Sequence, residues 1–267
     1  MNLTIVGRGR VGRGLHRALR ATGVDARLTA GRSPRVTSRH PLILAVPDPH
    51  VAAVAQSLAE QGHTPPAVLH CSGSLPTEPL ASLAASGSAV GVMHPLISFA
   101  DPRRPPRLSG ATFVFDGQRR ALDVARLVAG ALDARVVRAS IHGPAYHAAA
   151  ALSANGAVGL AAIAVGVMER LGLTKREAER ALGALLRTVG ENIEQIGLPG
   201  ALSGPIVRGD AGTVRKHRRA LAGLDTNARK AYDAVGPSIL SCARQTGLDD
   251  AAASRVRRAL RSQIGKK

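Results

Sequence analysis

Leu3-Thr4-Ile5-Val6-Gly7-Arg8-Gly9-Arg10-Val11-Gly12 runs an apolar strand straight into G-x-G-x-x-G. This is the setting a dinucleotide site requires. Gly7 allows a tight turn, Gly9 lets the backbone approach a pyrophosphate, and Gly12 lets the next helix pack closely on the sheet. The amides at that helix's start then face the anion, with Arg8, Arg10 and Val11 lining the same loop. The helix expected over residues 12–22 carries Leu15, Ala18 and Leu19 on one face and stops near Gly23. The other reading of the motif is a glycine-rich turn without a ligand.

Outward from this motif, short apolar strands alternate with amphipathic helices. Strands are expected at residues 3–6, 25–29, 42–46, 67–70, 89–93, 111–115 and 134–137, with helices at 51–61 and 119–132. That alternation implies an α/β fold with a parallel, doubly wound (Rossmann) sheet. After Ser140 the pattern changes. Residues 146–171 form a long run of Ala, Val, Gly and Leu charged only at Glu169 and Arg170, which reads as a central buried helix. Helices at 174–189, 210–223, 226–246 and 249–263 follow, the first with Thr174 and Glu177 in capping-box positions. The expected organisation is a dinucleotide-binding domain at 1–140 and an all-helical domain at 141–267.

The 267 residues suffice for two domains, and a hydrophobic share of 45% argues against disorder. Charges interrupt every helix-like stretch, so no membrane span is expected. The first strand begins at once, which leaves no room for a signal peptide. Cys71 and Cys242 are too few for a disulfide framework, and no cysteine or histidine cluster suggests a metal. A soluble cytoplasmic protein is the simplest expectation. The net charge of +18 raises nucleic acid as a partner. Yet the basic excess is spread evenly, with 17 arginines against 8 acids in residues 1–140 and 19 Lys/Arg against 10 acids in 141–267. Apart from Lys266-Lys267 there is no basic tail, and the interleaving of aromatic residues with basic ones that stacks bases is missing. No nucleic-acid partner is therefore expected, although the field would attract anionic ligands.

An NAD site usually places an acid after the second strand to bind the ribose 2′-hydroxyl. Here Arg32 and Ser33 stand in that place, and no acid lies between Asp25 and Asp48. A guanidinium and a hydroxyl suit a 2′-phosphate, so NADP is the expected cofactor.

At this point the chain resembles the 6-phosphogluconate dehydrogenase-like superfamily. There, an NADP-binding domain precedes a helical substrate and dimerisation domain. Leu44-Ala45-Val46-Pro47-Asp48 resembles the third-strand segment whose backbone passes close to the cofactor, which implicates Val46 and Pro47. Leu69-His70-Cys71-Ser72-Gly73 resembles the fourth-strand end, which implicates Ser72 and Gly73. More narrowly, four segments resemble a Rossmann-like oxidoreductase family with a C-terminal domain of unknown function. They are 70–73, Met93-His94-Pro95-Leu96-Ile97-Ser98-Phe99, Tyr146-His147-Ala148-Ala149-Ala150 through Asn155, and Ser203-Gly204-Pro205-Ile206-Val207-Arg208-Gly209-Asp210. Ketopantoate reductase and pyrroline-5-carboxylate reductase share the architecture. Ketopantoate reductases and hydroxyacid dehydrogenases carry a lysine one turn before an asparagine in the first helix of domain two. Asn155 is similar to the asparagine, but Ala151 replaces the lysine. The resemblance also implies a homodimer formed through the helical domain.

Hydride transfer to or from a carbinol needs a group that moves a proton and donors that hold the substrate. His94 follows the fifth strand at the carboxyl edge, where doubly wound sheets bind ligands; it is an acid–base candidate or a turn residue against Pro95. His147 and Asn155 are eight residues apart on the long helix, about 80° around its axis. Both can border one cleft, or make buried hydrogen bonds in an apolar helix. Tyr146 is a weaker candidate, since a tyrosine at a helix start often only packs. Arg208 can grip a substrate carboxylate, and Asp210 can pair with it or cap the next helix. Ser72 either meets the substrate near the nicotinamide or serves its own turn. The residues thus point to an NADP-dependent oxidoreductase acting on a small anionic carbonyl or hydroxy compound, such as a 2-oxo or hydroxy carboxylate like ketopantoate. The alternative is a non-catalytic NADP-binding regulatory protein.

Overall fold

The computed structural model describes residues 2–262. Residue 263 of the last expected helix, Lys266 and Lys267 lie outside them. The chain forms two compact units, Met1–Ala154 and Asn155–Lys267.

In the first unit, seven strands make one sheet: β1 (Asn2–Val6), β2 (Asp25–Thr29), β3 (Leu42–Leu44), β4 (Ala67–His70), β5 (Ala89–Pro95), β6 (Thr112–Gly117) and β7 (Arg135–Arg138). Their order is β2-β1-β3-β4-β5-β6-β7. Helices α1 (Arg10–Ala21), α2 (Val51–Glu60), α3 (Ala81–Ala85) and α4 (Arg119–Ala131) connect them. Side chains alternate across the sheet, as the two-residue period of a strand demands. Leu3, Ile5, Ile43, Leu69 and Phe113 join Leu15 and Leu19 of α1 and Ala125 and Val128 of α4 in one core layer. Val6, Leu42, Leu44 and Val68 join Val51, Ala55 and Leu58 of α2 and Leu83 of α3 in the other. The sheet is therefore buried on both faces, which explains why its strands read as continuous apolar runs.

The strands fall where the sequence places them, but not all run one way. β5 and β6 pair antiparallel, with Met93 opposite Phe115 and Pro95 opposite Phe113. A parallel return needs a covering crossover element, and the proline-rich segment between these strands holds no helix, so the chain doubles back. The sheet is mostly parallel rather than wholly so. The chain winds from β1 out to β2 and then returns to β3 on the other side. This leaves a switch point between β1 and β3 at the carboxyl edge.

The helices of the remaining chain are α5 (Pro144–Arg170), α6 (Lys175–Ile196), α7 (Ala211–Leu224), α8 (Thr226–Gln245) and α9 (Asp250–Arg261). The division between the units falls inside α5, whereas the change of sequence pattern lies near Ser140, before that helix begins. Val214, Leu240, Val256 and Leu260 centre a core built from α7, α8 and α9. Arg218, 4% exposed, fixes this bundle: its Nε donates to Asp233 Oδ1 at 2.6 Å and its Nη1 donates to the Ala259 carbonyl at 2.7 Å. The capping box of α6 forms as expected, with Thr174 and Glu177 serving each other's amides.

Two expectations about α5 are corrected. Val165 is its only buried residue, so it is not a central buried helix within this chain. Nor do charges interrupt it enough: α5 is long and apolar enough to cross a membrane by length and composition alone. The reason is compositional. Alanine, glycine and valine surround the whole helix, whereas the bundle core draws on α7–α9 and leaves Leu152 and Val158 exposed.

Candidate functional site

Each glycine of the opening motif has a distinct job. Gly7 lies at φ 122°, a conformation that favours glycine, and a Cβ there would stand 2.3 Å from the Ala45 carbonyl oxygen. A Cβ on Gly12 would stand 1.9 Å from the Gly7 carbonyl oxygen, so the start of α1 lies directly against the turn. Gly9 has open space around it, with nothing within 4 Å of a Cβ. It is the N-cap of α1, it supplies no side-chain cap, and the first turn of α1 holds no acid. Among the described residues no side chain caps the first amides of α1, which sit beside exposed Arg8 and Arg10. A phosphate group fits this cradle.

Strand ends complete the edge. Gly31, after β2, approaches Val46 so closely that a Cβ would lie 2.8 Å from the valine Cγ1. Arg32 and Ser33 follow it, both exposed, and Val46 is half-buried beside exposed Pro47. β1, β3, β4 and β5 run parallel, so Gly7 and His94 lie at the same edge, three strand spacings or about 14 Å apart.

At the β4 and β5 ends a polar cluster assembles. His94 Nδ1 lies 2.8 Å from the Tyr146 hydroxyl. The His94 ring stands edge-on to Tyr146 at 5.5 Å and to His147 at 6.5 Å. His142 also stands edge-on to Tyr146, at 5.4 Å between ring centres. Gly73 is the floor under His94, since a Cβ there would come within 2.9 Å of the imidazole Cε1. Burial, with smaller contributions from His142 and His147, lowers the His94 pKa from its ordinary 6.5 to about 4. Burial raises that of the Tyr146 phenol. At neutral pH the pair is therefore an uncharged imidazole bonded to a protonated phenol. His94 does not titrate near neutrality, which is the property that first suggested it.

The neighbouring turn is held by polar groups of its own. Buried His70 accepts from the Ser72 amide at Nδ1, which leaves Nε2 to donate to the Pro76 carbonyl at 2.8 Å. The Ser72 hydroxyl oxygen accepts from the amides of Ser74 and Leu75 at 3.1 and 3.2 Å. It serves its turn. The Ser74 hydroxyl donates to Asp48. Cys71 carries no chemistry, because burial pushes its thiol up to about 12.

His94, His147, Ser72 and Gly73 thus come together, and Tyr146 joins them more closely than its weak sequence signal suggested. His142 and the Asp48–Ser74 bond have no clear signal in the sequence. The other candidates belong to the second unit. Asn155 is exposed on α5, and Arg208 is exposed in the loop before α7. Asp210 is the N-cap of α7, accepting from the Thr213 amide at 2.9 Å and its hydroxyl at 2.6 Å. Among the described residues no group of three His, Cys, Asp or Glu is placed to hold a metal ion.

Residues 111–239 match the family described as Domain of unknown function (DUF2520). No curated protein matches. Solved structures do. Protein TM1727 from Thermotoga maritima is 22% identical with a TM-score of 0.66, covering 91% of this chain and 99% of its own. An imine reductase from Streptomyces aurantiacus is 16% identical with a TM-score of 0.57, covering 98% of this chain and 100% of its own. A reductive aminase from Aspergillus terreus, solved with NADPH and ethyl levulinate, is 15% identical with a TM-score of 0.54, covering 96% and 98%. At these identities the likeness is one of fold. The chain thus pairs an N-terminal Rossmann-like sheet with a stretch similar to DUF2520, the combination its motifs resemble.

Proposed function

We propose that this protein is an NADP-dependent oxidoreductase that transfers a hydride between the nicotinamide and a small anionic compound bearing a C=O or C=N bond. The observation that carries the reading is the open, uncapped backbone at Gly9, on the same sheet edge as the His94–Tyr146 pair. The Streptomyces and Aspergillus neighbours, one an imine reductase and one an aminase holding NADPH, support it. Gly7, Gly9 and Gly12 would cradle the pyrophosphate. Arg32 and Ser33 would take the 2′-phosphate, and Val46, Pro47 and Gly73 would line the remaining path.

When bound, the cofactor supplies the hydride, two electrons and one hydrogen, to the carbon of the double bond. The chain's task is the matching proton for the oxygen or nitrogen. Tyr146 Oη would donate it, with neutral His94 Nδ1 holding the hydroxyl in place by its hydrogen bond, and the phenolate left behind would regain its proton from solvent. This assignment replaces a lysine at position 151, where the chain has Ala151. His147 and Asn155 remain substrate-facing candidates on α5, and Arg208 a candidate grip for a carboxylate. A second copy of the chain is the proposed cover for exposed α5 and α6.

Two measurements test this reading. A melting shift with NADPH but little with NADH is expected; ligand at a hundredfold its Kd should add about 2.7 kcal/mol. Equal shifts would remove the role given to Arg32 and Ser33. NADPH oxidation is then followed against a panel of 2-oxo acids and cyclic imines. Tight NADPH binding without turnover of any of them would favour a regulatory protein over an enzyme.

A further inference from the structure

A cavity of about 570 Å³ opens in the second unit between α7 and α9. Arg215 of α7 and Arg255 and Arg258 of α9 line it, with Asp210 and Ser262. Arg255 and Arg258 are three residues apart and so share one face of α9. Among the described residues no carboxylate pairs with any of these three arginines. This contrasts with their neighbours: Arg218 and Arg229 both hold Asp233, and Arg244 holds Asp250.

The one acid in the lining does not cancel them. Asp210 is engaged by the amide and hydroxyl of Thr213, so the first turn of α7 is already capped and offers no free terminus. Ser262 is spoken for too, since its hydroxyl accepts from Arg218 Nη1 and donates to the Ala259 carbonyl. The buried Arg218 thereby ties the cavity wall to the bundle core. What remains open is three guanidinium groups, always charged, around one space. Without a counter-charge they repel one another. Each presents a planar fork of donors that fits phosphate or carboxylate oxygens in pairs.

We infer that this cavity is a binding site for a small polyanion with at least two acidic groups, separate from the nucleotide site and independent of the function proposed above. The shared chemistry is that of a phosphorylated or polycarboxylate metabolite.

The test is titration calorimetry of the whole protein with pyrophosphate and, separately, with citrate. It is run at about 0.15 M salt, where exposed charges are largely screened, and with NADP present throughout. R255A/R258A is compared with R257A/R261A, which removes the same charge from the same helix on the side facing a different cavity. The expected result is that at least one probe binds the wild type and R257A/R261A alike and binds R255A/R258A at least about tenfold more weakly. D210N, which keeps a capping oxygen while removing a negative charge, should bind more tightly. Binding of pyrophosphate alone would mark a phosphate site, and of citrate alone a carboxylate site. Equal weakening in the two double variants would reduce the effect to general charge and overturn the inference, as would no binding of either probe. Both double variants are checked for an unchanged melting temperature, and Arg→Gln replacements serve if alanine destabilises.

Discussion

Gly9 and Gly12 stand three residues apart, yet the same alanine substitution should have opposite effects at them. Gly9 has an ordinary extended backbone and open space, so Gly9→Ala should melt like the wild type while binding NADPH at least about tenfold more weakly. Gly12→Ala drives a methyl group into the Gly7 carbonyl and should cost about 2–3 kcal/mol of stability, read from urea unfolding. If Gly9→Ala leaves NADPH affinity intact, the cradle is not the phosphate site. These roles were legible in the sequence because they depend on backbone geometry that spacing alone imposes. The state of His94 was not, because burial decides it. Folded His94 resists a proton down to about pH 4, whereas unfolded His94 takes one near 6.5. Between those values the unfolded chain binds more protons. The contribution of His94 is therefore intact above about pH 6.5 and is lost as the pH falls toward 4. Buried His70 adds to this in the same direction. Thermal melts from pH 8 to 4.5 should show the decline, and His94→Gln should flatten part of it. The pH–rate profile should carry no His94 inflection between pH 6 and 7, and one there that vanished in His94→Gln would contradict the neutral-imidazole assignment.

At the scale of elements, α7 and α8 show how local and distant interactions divide the work. Asp210 caps α7 from next door in sequence, so Asp210→Ala should cost about 1 kcal/mol and Asp210→Asn far less. Circular dichroism melts of the two variants check this, and equal losses would mean the carboxylate acts through its charge rather than as a cap. Arg218 instead bridges α7, α8 and the end of α9. Arg218→Met leaves Asp233 with Arg229 alone and should cost about 3 kcal/mol, with Arg218→Lys failing to restore the two-pronged contact. Denaturant unfolding reads the difference; a loss below about 1 kcal/mol would mean that the half-buried Arg229 suffices. The cap of α7 was anticipated from an Asp ahead of a helix. The Arg218 network was not, since its partners lie far along the chain. The strands were equally legible, while the reversed direction of β6 was not, because direction depends on what the loop before it can cover.

For the molecule as a whole, the exposed apolar surface is the largest mismatch with a stable solitary chain. Leu152, Val158, Leu185 and Ile196 are all more than half exposed. If a second copy covers α5 and α6, light scattering should report twice the 27.5 kDa of one chain, and Leu185→Arg with Ile196→Arg should return it to one. A wild-type protein that stays at a single chain mass would instead leave this surface for a different partner. The sequence by itself determined the alternation of strands and helices, the glycine turn, the capping box of α6 and the helix stops, because these follow from residue periods and backbone freedom within a few residues. Only the tertiary structure decided that His94 is neutral and bonded to Tyr146, that β6 runs backwards, and that α5 lies uncovered. The first and last depend on which distant segments exclude water from a side chain, and the second on what the loop before β6 can cover; sequence spacing encodes neither.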